Sequence, residues 1–304
     1  MLEITFLGSG SAIPSKTRNH PSIALEYYGE QKETILFDCG EGTQKRLMEA
    51  SISFMKIDKI FITHWHADHF AGLIPLIQTM NLEKRRKDLK IFGPEAERFV
   101  SDIIDLGYFG LRFPVEAINV DFEGDVIKKI DTSEEYDIYS IPVLHTVPAV
   151  AFCFKEKDKW NIDKEKLKKL NLRGGRWLKK IKSLGEAEFK GKKIRLEQIA
   201  DKKSGLKVVY TGDTKPCENV VKISKEADLL IHDGTFLESE DAKTKSHANV
   251  KEAAKVAKDA NVKQLILTNI SRRYTSTKEM EIESKKIFPN SKIAYDLMKV
   301  KLKT

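Results

Sequence analysis

Residues 63–69 read Thr-His-Trp-His-Ala-Asp-His, directly after the apolar run KIDKIFI at 56–62. Three imidazoles and one carboxylate fall within six consecutive positions, His64 to His69. A stretch of ordinary core is a poor explanation, because four polar side chains in a row could hardly all find partners in an apolar interior. The preceding run predicts a strand, so the cluster sits on the loop leaving a sheet, where functional groups are commonly mounted. Neutral imidazole and carboxylate are donors that zinc, manganese and iron accept. The i, i+2 pair His64 and His66 can reach one ion while Asp68 and His69 turn toward a second. The stretch predicts a metal site.

Further ligands have to come from elsewhere, and two candidates stand at strand ends. His145 follows IYSIPVL, and Asp213 follows KVVYTG, where Gly212 allows the backbone to approach closely. The first ninety residues alternate strand-like runs (LEITFLG, SIALEYYG, TILFDCG, DKIFITH, LKIFGP) with helical stretches near Thr43–Ala50 and from Leu73. In the latter, Leu73, Ile74, Ile77 and Met80 recur at helical spacing and face either the core or a partner subunit. Several β segments run from Ala117 to Phe154, and the alternation returns from KVVYTGD onward. Strands with helices on both sides of an excursion predict an α/β fold of two sheets faced by helices, one domain over 1–304.

The excursion is basic. The chain has 304 residues, 41% of them hydrophobic, and a formal net charge of +8. Between Lys155 and Arg195 stand 16 Lys and Arg against 6 Asp and Glu, a local +10 that leaves about −2 for the remainder. A basic excess confined to one segment is the footprint of a phosphate-binding surface or of a solvated, Lys-rich insertion. Its helical stretches DKEKLKKLN and WLKKIKSLG flank Arg173-Gly174-Gly175-Arg176. Its few apolar residues predict a protruding arm at 155–195 without a core of its own. No apolar run of about 18 residues predicts a membrane-spanning helix. The first residues lack the pattern of a signal peptide, and the three cysteines, Cys39, Cys153 and Cys217, have no paired spacing. Both point to a cytoplasmic protein with reduced thiols.

Read in order, FLGSGSAIPSKTRN, LFDCGEGTQ, THWHADHFAGL, HTVPAVAF, VVYTGDTKPC, HDGTF, SHANVKEAA and SRRY span nearly the whole chain. This series resembles the metallo-β-lactamase fold, a four-layer αββα sandwich, and within it the RNase Z family of tRNA 3′-processing endonucleases. The histidine-rich loop is common to the superfamily, whereas HDGTF, SHAN, SRRY and the N-terminal loop point to RNase Z. The resemblance implies that His64, His66 and His145 hold one Zn2+, that Asp68 and His69 hold another, and that Asp213 bridges the two. It implies Asp68 as the proton acceptor for water, His247 as general acid, and Asp233 as the group orienting His247, where the family usually has Glu. Ser271 and Arg273 are implied phosphate contacts. An arm between HTVPA and TGD grips tRNA in that family, which makes Lys168, Lys169, Arg173, Arg176, Lys179 and Lys180 candidates. The RGGRW stretch lacks the Gly-Pro motif often found in such arms. The expected substrate is precursor tRNA, cut after the discriminator base to remove the 3′ trailer, and the expected assembly is a homodimer. His20 and His232 are expected to be structural.

One position departs from the pattern. The family's C-terminal motif begins with a histidine that completes the second metal site, and here TNISRRY places Asn269 there. Three readings follow: a second site that binds weakly or takes a metal preferring oxygen, such as Mn2+; a substitution that quiets the enzyme; or an RNA-binding homologue with little cleavage. The impaired second site in an otherwise intact nuclease is the favoured expectation. A small-molecule ester or phosphodiester hydrolase of the same fold is the remaining alternative.

Overall fold

The structure, a computed structural model, describes residues 1–108, 110–189, 191–238 and 246–303. They form two compact units, one of Met1–Lys155 with Lys207–Lys303 and one of Glu156–Leu206.

The larger unit contains two seven-stranded mixed sheets. In the first, β1 (Leu2–Gly8), β2 (Ser22–Tyr28) and β3 (Lys32–Phe37) pair antiparallel, while β4 (Ile57–Phe61), β5 (Leu89–Gly93) and β6 (Val115–Asn119) continue in parallel. The second holds β7 (Lys128–Thr132), β8 (Tyr136–Pro142), β9 (Val150–Glu156), β14 (Lys207–Tyr210), β15 (Leu229–Asp233), β16 (Leu265–Thr268) and β17 (Ser291–Ile293). Aromatic side chains pack the sheets face to face: Phe61 meets Phe152 with centroids 5.3 Å apart, and Tyr27 meets Phe154 at 5.6 Å. Because helices cover the outer faces too, strands such as β1 are buried at every residue, Glu3 and Thr5 included.

On the outer face of the first sheet, Leu73, Leu76, Ile77 and Met80 of helix Leu73–Leu82 pack with Leu36, Ile60 and Val100. That apolar stripe therefore serves the core. Outside the second sheet, helices Glu218–Ser224, Val250–Asp259 and Lys278–Ile287 bury Val220, Ile223, Ala253, Ala257 and Met280. Asn249 starts the second of these, its side chain accepting from the Lys251 and Glu252 amides while Glu252 returns a bond to the Asn249 amide. The result is the expected αββα sandwich. A strand not foreseen, β18 (Lys299–Leu302), pairs antiparallel with β1, Leu2 opposite Leu302. Its Lys299 and Lys301 flank Glu3 at 3.6 and 3.2 Å.

The smaller unit corrects one expectation. It extends past residue 195 to Leu206 and builds a core from Leu167, Ile181, Ala187, Ile194, Leu196, Ile199 and Ala200, with Trp160, Trp177 and Phe189 packed against it. Two ribbons make this possible: β10 (Lys159–Ile162) pairs with β13 (Ala200–Lys203), and β11 (Glu186–Phe189) with β12 (Lys192–Arg195). Each ribbon turns alternate residues inward, so a segment rich in lysine still converges enough apolar side chains. Between them lie helices Lys164–Lys169, capped by Asp163, and Trp177–Leu184. Lys168, Lys169, Arg173, Arg176, Lys179 and Lys180 are all exposed.

Candidate metal and catalytic site

All but one of the site's groups stand at the end of a strand; the exception, His247, leads into helix Val250–Asp259. His64, His66, Asp68 and His69 follow β4, His145 follows β8, Asp213 follows β14, Asp233 ends β15 and Asn269 follows β16. The two sheets meet closely here: a Cβ on Gly212, whose φ is +59°, would lie 2.6 Å from the Thr63 side chain. Only glycine allows that approach without displacing the histidine loop.

Three imidazoles converge. His66 Nδ1 lies 3.0 Å from His64 Nε2 and 3.1 Å from His145 Nε2. Zinc holds imidazole nitrogens at about 2.0–2.1 Å in a tetrahedron, which sets them about 3.3 Å apart, close to this spacing. Neighbours fix the rings so that lone pairs face inward. His145 donates through Nδ1 to the Ser246 carbonyl at 3.2 Å, and His64 Nδ1 is 3.1 Å from Thr63 Oγ1. Burial, helped by the neighbouring imidazoles, holds His64 well below the usual histidine range, and burial lowers His145 as well. Neutral imidazole is the form that binds a cation.

A second group adjoins the first. His69 Nε2 lies 3.3 Å from Asp213 Oδ1 and 3.5 Å from Asp68 Oδ2, yet is buried without a hydrogen-bond partner. Burial alone would lower its pKa, but the charges of Asp213 and Asp38 outweigh that and raise it well above the usual range. A field that favours a proton on Nε2 favours a divalent cation at the same place. Of three donor groups close enough to hold an ion, two fit metal, His64, His66 and His145 in one and His64, His69 and Asp213 in another; in the third, Asp213, Asp233 and His247, the imidazole is already bonded to Asp233.

Asp38 is a functional residue the sequence reading did not single out. Fully buried at φ +53°, it accepts from the Thr63 amide at 2.8 Å, His69 Nδ1 at 2.7 Å and the Tyr210 hydroxyl at 2.7 Å. The bond to Nδ1 places the free Nε2 of His69 on the metal side. The only signal for it in the sequence is an Asp before Cys-Gly at the end of an apolar run.

On the other side, His247 Nδ1 donates to Asp233 Oδ2 at 2.8 Å. Asp233 is itself held by the Thr235 amide and hydroxyl at 2.9 and 2.6 Å and by the Thr214 amide at 3.2 Å. Burial would lower the His247 pKa, but the charge and hydrogen bond of Asp233, with the charge of Asp213, push it up to about 9. The carboxylate thus keeps His247 protonated near neutral pH, as a proton donor requires.

A cleft of about 480 Å³ opens onto these groups, lined by His66, Asp68, His145, Asp213 and His247, and also by His20 and Glu41. His20, expected to be structural, therefore faces the cleft, whereas His232 is fully buried and bonds the Asp233 carbonyl at 2.8 Å. Ser271 and Arg273 lie outside that lining. The Arg273 guanidinium sits 5.1 Å from the Phe236 ring, which in turn stands edge-on to His247 at 5.9 Å. Asn269, 2% exposed, donates through Nδ2 to Asp213 Oδ1 at 2.7 Å.

The chain's similarities agree with this geometry. Residues 2–100 match the family described as Anti-Pycsar protein Apyc1, and residues 197–270 match the Beta-lactamase superfamily domain. Ribonuclease Z of Pyrococcus abyssi is 41% identical over 306 residues, covering 100% of this chain and 97% of the relative. Ribonuclease Z of Methanothermobacter thermautotrophicus is likewise 41% identical, covering 100% and 97%. Among solved structures, the short form of human tRNase Z superposes with a TM-score of 0.71 at 27% identity, covering 99% of this chain and 100% of that one. On this likeness over its whole length, the chain belongs to the ribonuclease Z family.

Proposed function

We propose that the chain is a metal-dependent endoribonuclease that cuts precursor tRNA after the discriminator base and releases the 3′ trailer. The observation that carries this reading is His247, held by buried Asp233, opening onto the same cleft as two adjoining metal-ligand sets. His64, His66 and His145 would hold one zinc ion, and Asp68, His69 and Asp213 a second divalent ion. Ions so held would supply Lewis acidity to the phosphate and lower the pKa of water.

The residues do the rest. Asp68, in the cleft wall, accepts the proton of the attacking water as the new P–O bond forms. His247 delivers its Nε2 proton to the 3′ oxygen as the old P–O bond breaks, leaving a tRNA 3′-hydroxyl and a 5′-phosphate on the trailer. Asp233 holds the imidazole by Nδ1, so that Nε2 is the nitrogen that gives up the proton. Ser271 and Arg273, outside the cleft wall, are assigned to phosphates flanking the cut.

The unit Glu156–Leu206 is assigned to gripping tRNA through Lys168, Lys169, Arg173, Arg176, Lys179 and Lys180. Their exposure and the concentration of charge support that role. Homodimer formation and a cytoplasmic location belong to the same proposal. The first is supported by the resemblance to the family. The second is supported by three cysteines free of disulfides and by the lack, among the described residues, of a helix able to cross a membrane.

The test is incubation with a precursor tRNA bearing a 3′ trailer across a zinc and manganese titration, followed by analysis of the product ends. Cleavage after the discriminator base with a free 3′-hydroxyl is expected. Salt-sensitive tRNA binding without cleavage at any metal concentration would replace the enzyme with an RNA-binding homologue. Turnover confined to small esters or phosphodiesters would replace it with a small-molecule hydrolase.

A further inference from the structure

The two metal-ligand sets differ in kind. The first offers three imidazole nitrogens, from His64, His66 and His145. The second shares His64 with the first, so with His64 given to the first it is left with one imidazole nitrogen, His69 Nε2, beside carboxylate oxygens of Asp213 at 3.3 Å and Asp68 at 3.5 Å. Against Asp213 stands the amide of Asn269, where the resemblance leads one to expect another imidazole.

That amide is in an unusual state. Its Nδ2 donates to Asp213 Oδ1 at 2.7 Å and approaches Thr235 Oγ1 at 3.1 Å. Its Oδ1 is buried without a partner, in a residue only 2% exposed. A buried amide oxygen without a donor is destabilising. Rotating the amide by half a turn puts the oxygen against Asp213, which repels it unless a cation lies between them. With a cation there, the oxygen becomes a ligand and its polar group is satisfied.

We propose that the second position is selective for a hard, oxygen-preferring divalent cation of the Mn2+ class, with Asn269 contributing its amide oxygen, while the three-histidine position keeps zinc. Nitrogen-rich sets suit zinc, whereas carboxylate and carbonyl sets suit manganese. The inference rests on the reading that the cluster holds divalent metal, and it does not depend on which substrate is cut. Asn269 stands at φ +62°, a conformation that Asn, Asp and His tolerate better than other side chains. Substitutions among these three therefore test the ligand without forcing the backbone.

The full chain is stripped with a chelator, loaded with zinc and dialysed against excess Mn2+. Bound metals are then counted by mass spectrometry, and bound Mn2+ is read by electron paramagnetic resonance. The expected result is one zinc retained and one manganese acquired per chain, with Asn269→His retaining two zinc ions under the same dialysis. Asn269→Asp, which supplies an oxygen ligand with a charge, is expected to acquire manganese as the parent does, and it keeps the test decisive if the histidine variant does not fold. Two zinc ions retained by the parent chain would overturn the proposal while leaving the metal reading intact. Failure of the parent to take up any metal would overturn both.

Discussion

Asp38→Asn changes one atom and reverses the logic of a hub that joins the two sheets. The Asp38 Oδ1 that accepts from the Thr63 amide at 2.8 Å can be kept as the amide oxygen. The other oxygen, which accepts from His69 Nδ1 and from the Tyr210 hydroxyl, both at 2.7 Å, becomes an NH2 facing those two donors, while the Thr63 hydroxyl, 2.9 Å from it, can keep its bond to Oδ1 at 3.1 Å. Tyr210 can turn its hydroxyl and accept instead. His69 can accept only by moving its proton from Nδ1 to Nε2, the nitrogen that faces Asp213 and Asp68. Hydrogen bonds to a charged group contribute about 1.5–3 kcal/mol each. With one of two recovered in weaker form, the variant is expected to lose about 2–3 kcal/mol of stability, a sizeable part of the roughly 5–15 kcal/mol of an ordinary domain. The tautomer change is expected to weaken metal at the His69 position by about 10–100-fold. Urea unfolding in the presence of chelator reads the first effect, and metal titration reads the second. Stability within about 0.5 kcal/mol of the parent, together with unchanged affinity at the His69 position, would refute the hub assignment.

His247→Ala is expected to lower kcat by about 10²–10⁴-fold while metal content and tRNA affinity stay near parental, checked by single-turnover cleavage and filter binding. Reversing charge at Lys168, Lys169, Arg173 and Arg176 together is expected to raise KM for precursor tRNA and flatten its salt dependence. Turnover of a small phosphodiester such as bis-p-nitrophenyl phosphate serves as the control and is expected to be unchanged. Ile181→Ala removes a fully buried side chain from the smaller unit's core and is expected to cost about 2–5 kcal/mol there. Protease nicking between Glu156 and Leu206, with small-phosphodiester turnover intact, is the expected signature.

Much of this site was legible in the sequence because its donors are clustered or stand at strand ends. Four of them occupy 64–69, and strand periodicity located His145 and Asp213. Asp38 was not, because its meaning lies in contacts with residues 31 and 172 positions away along the chain. Nothing local distinguishes it from an acid opening a turn. The smaller unit's core was missed for a related reason: Trp160 and Ala200 matter only once β10 and β13 pair. Asn269 was visible as a departure, but its bond to Asp213 and the orphaned oxygen required the structure.

The pairing of β1 with β18 has a consequence for biosynthesis. About 300 residues separate the two strands, so at elongation rates of roughly 5–20 residues per second the ribosome needs about 15–60 s between them. Throughout that interval the outer edge of LEITFLG is an open, apolar template for any passing strand. When β18 arrives it closes that edge and presents Lys299 and Lys301, which discourage a further strand from adding. Chaperone demand on the nascent chain should accordingly be set by the strand made first and relieved only when its distant partner is synthesised.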